Sequence, residues 1–163
     1  MAKRFQNGFT LVELIVYLGL LTSIIVIVIE ILIFGSEFNL KSGAKQAVDE
    51  ESRFITQRLS TDIRRAASIT TPASLNSAAS NLVLVINGFS YIYQITGNQL
   101  EVVSSSETMP LSSSDVKISS INFKRLGNSG GQPTIQISLD TESIAAAFPE
   151  KVSLSLKTTA GLR

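Results

Sequence analysis

Cysteine, histidine and tryptophan are all missing from the 163 residues. Without cysteine the chain forms no disulfide and no thiolate zinc site. Without histidine it lacks the commonest general base and the commonest imidazole metal ligand. Charge of one sign is scarce as well. Fourteen Lys and Arg against 13 Asp and Glu leave a net +1, which points to neither nucleic acid nor an acidic substrate. These absences argue against most hydrolytic and metalloenzyme chemistry. The length suits one domain and is short for two.

What the chain does have is one long apolar run. "LIVYLGLLTSIIVIVIEILIF", Leu14 to Phe34, is about 21 residues, or about 31 Å as a helix, enough to cross a hydrocarbon core of about 30 Å. A soluble helix rarely stays apolar on every side for that length. A secretory signal peptide would be shorter and would end in a small-residue cleavage site. Here "IEILIFGSEFNLKSG" follows without such a pattern, so the run reads as retained. Lys3 and Arg4 precede it and Glu37 follows, which predicts a cytoplasmic N-terminus and an extracytoplasmic remainder. Two acids mark the run. Glu30 lies about 26 Å beyond Glu13 and reads as an interfacial acid near the outer surface. Glu13 sits only five residues after Gly8 and heads the apolar stretch. An ionised carboxylate inside a membrane helix costs a few kcal/mol even on lenient scales, roughly 2.5–3.5.

The residues "NGFTLVELIV" closely resemble the processing site of the type IV pilin and type II secretion pseudopilin superfamily. In that family a basic leader ends in Gly, prepilin peptidase cuts after it, and the new first residue, usually Phe, is N-methylated. The resemblance implies a leader over 1–8, cleavage between Gly8 and Phe9, N-methylation of Phe9, and an assembly charge pair of Glu13 with a Phe9 amine. In the family's usual picture Glu13 of an incoming subunit meets the Phe9 ammonium of a neighbour. Each charge is costly alone in low dielectric and is offset by the other, so the pair sets axial register as well as attraction. Loss of Lys3 and Arg4 with the leader shifts the side-chain balance from +1 to −1.

Beyond Gly35 the residues Ala44, Val48, Ser52, Ile55, Leu59, Ile63 and Ala66 recur at spacings of three and four. Lys41, Lys45, Arg53, Gln57, Arg64 and Arg65 fall mainly off that stripe. Glu37–Lys41 and Asp49–Arg53 are acid-first pairs on the same helix. The expected α+β organisation is a pilin-like long N-terminal helix packed on an antiparallel β-sheet. A membrane-spanning half covers 9–35, an amphipathic half 36–68 and a β-rich domain 69–163, with a hinge at Gly35–Ser36 as the alternative to one continuous helix. Many major pilins carry a Pro where this chain has Glu30, a departure that favours a minor pilin or pseudopilin.

"TTPASLNSAAS", Thr70 to Ser80, reads as a polar connector. Leu82, Leu84 and Ile86 share a strand face, Gly88 marks a turn, and "FSYIYQIT-GN-QLEVV" is a hairpin through Gly97-Asn98. "DVKISSINFKRL" breaks its alternation at Ser119-Ser120, which predicts a bulge. "TIQISLD" turns Ile135, Ile137 and Leu139 inward, and "KVSLSLKT" does the same with Val152, Leu154 and Leu156. One sheet on the amphipathic helix would bury these faces together. The element order is similar to J- and W-type minor pilins.

The remaining motifs carry no chemistry. "GNSGGQP", Gly127 to Pro133, mimics a protease nucleophile loop, yet no histidine exists to accept the Ser129 proton. It reads as a hairpin tip. The serine clusters Ser104–Ser106 and Ser112–Ser114 read as solvated loop, and the doublets Arg64-Arg65 and Lys124-Arg125 as solvated faces. Basic doublets without interleaved aromatics argue against nucleic acid. Asp49, Glu50 and Glu51 are consecutive and point apart on a helix, so no metal site is expected, and no calcium loop of pseudopilin type can be matched. The expectation is a non-enzymatic subunit with no catalytic residue, no cofactor and no small-molecule substrate. Its implied partners are prepilin peptidase, other pilins or pseudopilins, the inner-membrane assembly platform and membrane lipid. The rival readings are a major pilin and an uncleaved, signal-anchored extracytoplasmic binding protein.

Overall fold

The computed structural model describes residues 10–105, 107–127, 130–144 and 151–162. A single helix, α1 (Leu11–Arg65), comes first, with no break at Gly35. Among the described residues nine strands follow. They are β1 (Ser68–Thr71), β2 (Ala78–Ala79), β3 (Leu82–Ile86), β4 (Phe89–Thr96), β5 (Gln99–Ser104), β6 (Glu107–Pro110), β7 (Val116–Leu126), β8 (Thr134–Ser143) and β9 (Ser153–Gly161). The chain divides into two compact units, Met1–Leu40 and Lys41–Arg163.

In the first unit no described side chain is buried; Leu11, Leu20 and Phe34 are 73%, 57% and 71% exposed. The β-branched Ile and Val that fill this stretch are mediocre helix formers in water. In lipid, however, a helix is the way one segment satisfies all its own backbone groups. Among the described residues one helix, this one, is long and apolar enough to cross a membrane.

In the second unit, α1 buries Val48, Ser52, Ile55, Leu59 and Ile63, the stripe anticipated from the spacing, together with Asp62. The helix ends at Arg65 instead of reaching Ser68. Arg64 and Arg65 complement the negative end of the helix dipole. The Ala67 N–H then donates to the Val85 carbonyl at 2.8 Å, drawing the chain into β1.

The strands form two antiparallel sheets where one was expected. The five-stranded sheet has the order β1-β3-β4-β5-β6 and the four-stranded sheet β2-β7-β8-β9. Both contribute to one core: Leu82, Leu84, Tyr93 and Leu100 from the first, and Ile121, Phe123, Ile135, Ile137 and Leu139 from the second, against Ile55, Leu59 and Ile63 of α1. The supposed connector Thr70–Ser80 is structured. Thr70 and Thr71 extend β1, a cis peptide joins Thr71 to Pro72, and Ala78–Ala79 pair with Lys124 and Phe123 of β7. Arg125 holds this segment, its Nη1 donating to the carbonyls of Ile69, Pro72 and Ala73 at 3.3, 3.1 and 3.0 Å. Carbonyl partners order it, so it shows no apolar period.

The turns follow the glycines. Asn87 and Gly88 both have positive φ, 52° and 83°, as a type I′ hairpin requires, and Ile86 faces Phe89 across them. At the second hairpin only Gly97 is positive, at 65°, which fits a type II′ turn with Gly first. Thr96 faces Gln99 there, so the Gly97-Asn98 turn stands where it was read. The β7–β8 register shifts between Ile118 and Ser120, which is the expected bulge. Val152, Leu154 and Leu156 are only half-buried, because β9 is the edge of its sheet.

Candidate membrane and assembly site

The first turn of α1 is built by Thr10. Its hydroxyl accepts the Glu13 N–H at 3.3 Å and its carbonyl accepts the Leu14 N–H at 3.1 Å, so Thr10 is the N-cap. Thr10-Leu11-Val12-Glu13 has the T-x-x-E pattern of a capping box, a local signal that the reading of Glu13 from Gly8 spacing passed over. Glu13 thus occupies the third helical position, where a carboxylate also favours the positive end of the helix dipole. The described side chains one turn further on, Val16 and Tyr17, bring no cation to it. Gly8 and Phe9 lie outside the described residues, and so does the geometry of their pairing with Glu13.

Downstream, two hydroxyls interrupt the apolar surface. Thr22 Oγ1 donates to the Leu18 carbonyl at 2.7 Å and Ser23 Oγ donates to the Gly19 carbonyl at 3.0 Å. Each hydroxyl proton is satisfied within its own helix, which makes both residues tolerable in hydrocarbon. Glu30 has no such local solution. Its neighbours at three and four residues are Val26, Ile27, Ile33 and Phe34.

The family described as the prokaryotic N-terminal methylation motif matches residues 3–29. That stretch holds the capped start of α1, with the long apolar helix and the β-sheet domain beyond it. Motif and fold match the type IV pilin and pseudopilin superfamily. No curated protein and no solved structure matches the chain. The motif implies processing by prepilin peptidase and attachment to the membrane. Pilins and pseudopilins are structural, non-catalytic subunits. Among the described residues of this pilin-like chain, no three His, Cys, Asp or Glu gather into a metal-binding group.

Polar groups in the globular half tie α1 to the sheets. Asp62, only 5% exposed, accepts hydrogen bonds at Oδ2 from Tyr93 Oη (2.8 Å) and Arg58 Nε (2.9 Å). Burial, and then the hydrogen bond to Asp62, push the Tyr93 phenol well above its ordinary range. Ser52 and Thr141 share a buried hydroxyl contact of 2.7 Å. Two of the three consecutive acids lead to separate places. Glu50 accepts from Gln46, and Glu51 accepts from the Ser113 N–H at 2.8 Å.

Other motifs resolve into structural roles. Ser112 is buried, its Oγ accepting the Leu100 N–H at 2.9 Å, whereas Ser113 and Ser114 are exposed, as a solvated loop would have them. Arg125 is the carbonyl clamp described above instead of a solvated charge. Ser129 lies outside the described residues. On the outer face of the four-stranded sheet, hydrogen bonds from Ser120 and then Ser155 hold the Asp140 carboxyl below its usual range. Lys151, bonding Glu142 at 3.1 Å, lowers that carboxyl as well.

Proposed function

We infer that this chain is a minor pilin or pseudopilin subunit, held in the membrane by the first half of α1 until it is extracted into a filament. Prepilin peptidase removes residues 1–8, Phe9 becomes the N-methylated terminus, and Glu13 with the Phe9 amine of a neighbour guides docking. Residues 9–35 form the membrane half and 36–68 the amphipathic half of the N-terminal segment, and 69–163 the extracytoplasmic β-rich domain. The N-terminus faces the cytoplasm. Other pilins or pseudopilins and the inner-membrane assembly platform are the working partners, with contacts near the filament tip.

The observation that carries this reading is Glu13 itself, a carboxylate at the head of a long apolar stretch of helix with no cation on the next turn. A charge costs roughly 2.5–3.5 kcal/mol at the centre of a membrane helix, and in the apolar layer at its head it still calls for an opposite charge from outside the described residues. The Phe9 ammonium of another subunit supplies that charge. Membranes with and without prepilin peptidase, analysed by N-terminal peptide mass spectrometry, test the processing step. A peptidase-dependent peptide beginning at methylated Phe9 is expected. A chain that keeps Lys3 and Arg4 despite active peptidase turns the reading toward a signal-anchored binding protein. Glu13→Ala should insert and be cleaved normally but be depleted from sheared filaments, and undiminished incorporation would remove the docking role.

A further inference from the structure

The five-stranded sheet turns toward α1 a face wider than one helix covers. Its outer strands lie about 19 Å apart at about 4.8 Å per neighbour, whereas a helix is about 10 Å across. Burial falls along one cross-strand row accordingly. Leu82 is 0% exposed and Tyr93 2%, Val102 is half-buried, and Met109 is 50% exposed. The uncovered end of the row is a cavity of about 290 Å³ between Arg58, Asp62 and Arg65 on α1 and Tyr91, Val102 and Met109 on the sheet. That volume is at the lower edge of small-molecule pockets, which run from about 300 Å³ upward, and suits side chains better than a cofactor.

Its helical wall is basic. Arg58 uses its Nε on Asp62, which leaves its terminal amino groups for an occupant. The Arg65 side chain makes no hydrogen bond or ion pair among the described residues. The two are seven residues apart, so they lie on one flank of α1, about 10.5 Å apart along the axis. Glu107 stands on another wall and repels a carboxylate, directing an incoming acid toward α1.

The same chain carries the complement. Glu30 and Glu37 are also seven residues apart, with Ile33 and Phe34 between them on that face, 55% and 71% exposed. We propose that the ledge is the seat for the Glu30–Glu37 segment of a second copy of this chain. Ile33 and Phe34 pack on Val102 and Met109, while the two carboxylates meet Arg58 and Arg65 with charge-assisted hydrogen bonds. The proposal rests on the assembly reading above, since the segment must have left lipid to reach the ledge. It also supplies Glu30 with the cation that the helical turns on either side of it lack.

Because the chain has no cysteine, introduced thiols report only on the pair chosen. Ile33→Cys and Met109→Cys are placed in two differently tagged full-length copies, expressed with the rest of the assembly system, and sheared filaments are oxidised. A mixed-tag dimer is expected, and it should be lost when Leu21→Cys replaces Ile33→Cys. Arg65→Glu, a surface change that leaves the Asp62 cluster intact, should lower the yield roughly fivefold, with Glu37→Arg restoring it. Both tags present in the filaments without a mixed dimer, or a yield indifferent to Arg65→Glu, overturns this contact and leaves assembly standing. If even the wild-type chain is absent from the sheared fraction, the assembly reading fails and the contact fails with it.

Discussion

Leu21 and Leu59 belong to one helix and have the same side chain, yet Leu21 is 56% exposed and Leu59 fully buried. Helical geometry is common to both; what differs is which surface is offered a partner from the same chain. Around Leu59 the apolar residues keep to a stripe that two sheets cover. Around Leu21 they go all the way round, and no described residue covers them. The stretch around Leu59 completes itself by folding, whereas the stretch around Leu21 has the all-round apolar surface that suits a membrane.

Truncation is the strongest way to break that comparison. Leu59→Ala should cost the globular half about 2–5 kcal/mol, whereas Leu21→Ala should stay within about 0.5 kcal/mol. Denaturant unfolding of the full chain in detergent, followed through the β-sheet signal, measures both. Equal losses would mean that the apolar half supports the sheets after all.

A smaller effect is expected at the buried polar tie. Tyr93→Phe removes the hydrogen bond to Asp62 and should cost about 1 kcal/mol at neutral pH. Its pH signature is more telling. The unfolded chain releases phenol protons near pH ~10, while folded Tyr93 keeps its own, so the unfolded state binds fewer protons above that point. Stability supplied by the protonated phenol is therefore full below about pH 10 and lost as pH rises further. Tyr93→Phe should flatten that alkaline decline, seen in melting temperatures between neutral and strongly alkaline pH.

The smallest effect belongs to the outer face of the four-stranded sheet, where neither half of α1 is involved. Ser120→Ala should raise the Asp140 pKa toward its ordinary value, visible in an NMR titration. The sign is opposite to that of Tyr93. Any contribution from Asp140 is present above the ordinary carboxyl value and disappears as pH falls through the depressed one.

Periodicity made both halves of the helix legible. The stripe from Val48 to Ile63 and the run from Leu14 to Phe34 each declare their surroundings through spacing alone. Glycines declared the turns, because Gly88 and Gly97 sit at positive φ where other residues are strained. What stayed hidden was held by backbone carbonyls and single polar contacts. No pattern of hydrophobic residues marks Ala78–Ala79 as a strand or Arg125 as the clamp on its approach. Asp62 was concealed by its charge, which suggested solvent, while Tyr93 and Arg58 keep it inside. Near Glu13, the capping role of Thr10 was readable from T-x-x-E. The Phe9 end of the proposed pair lies outside the described residues.

The interleaving of the sheets sets an order of events during synthesis. Every strand of the five-stranded sheet lies before Leu111, so that sheet has all its members while β7, β8 and β9 are still to come. Ala78 and Ala79 must wait for Phe123 and Lys124 before they find partners. A chain emerging N-terminus first therefore leaves this short stitch open until β7 arrives.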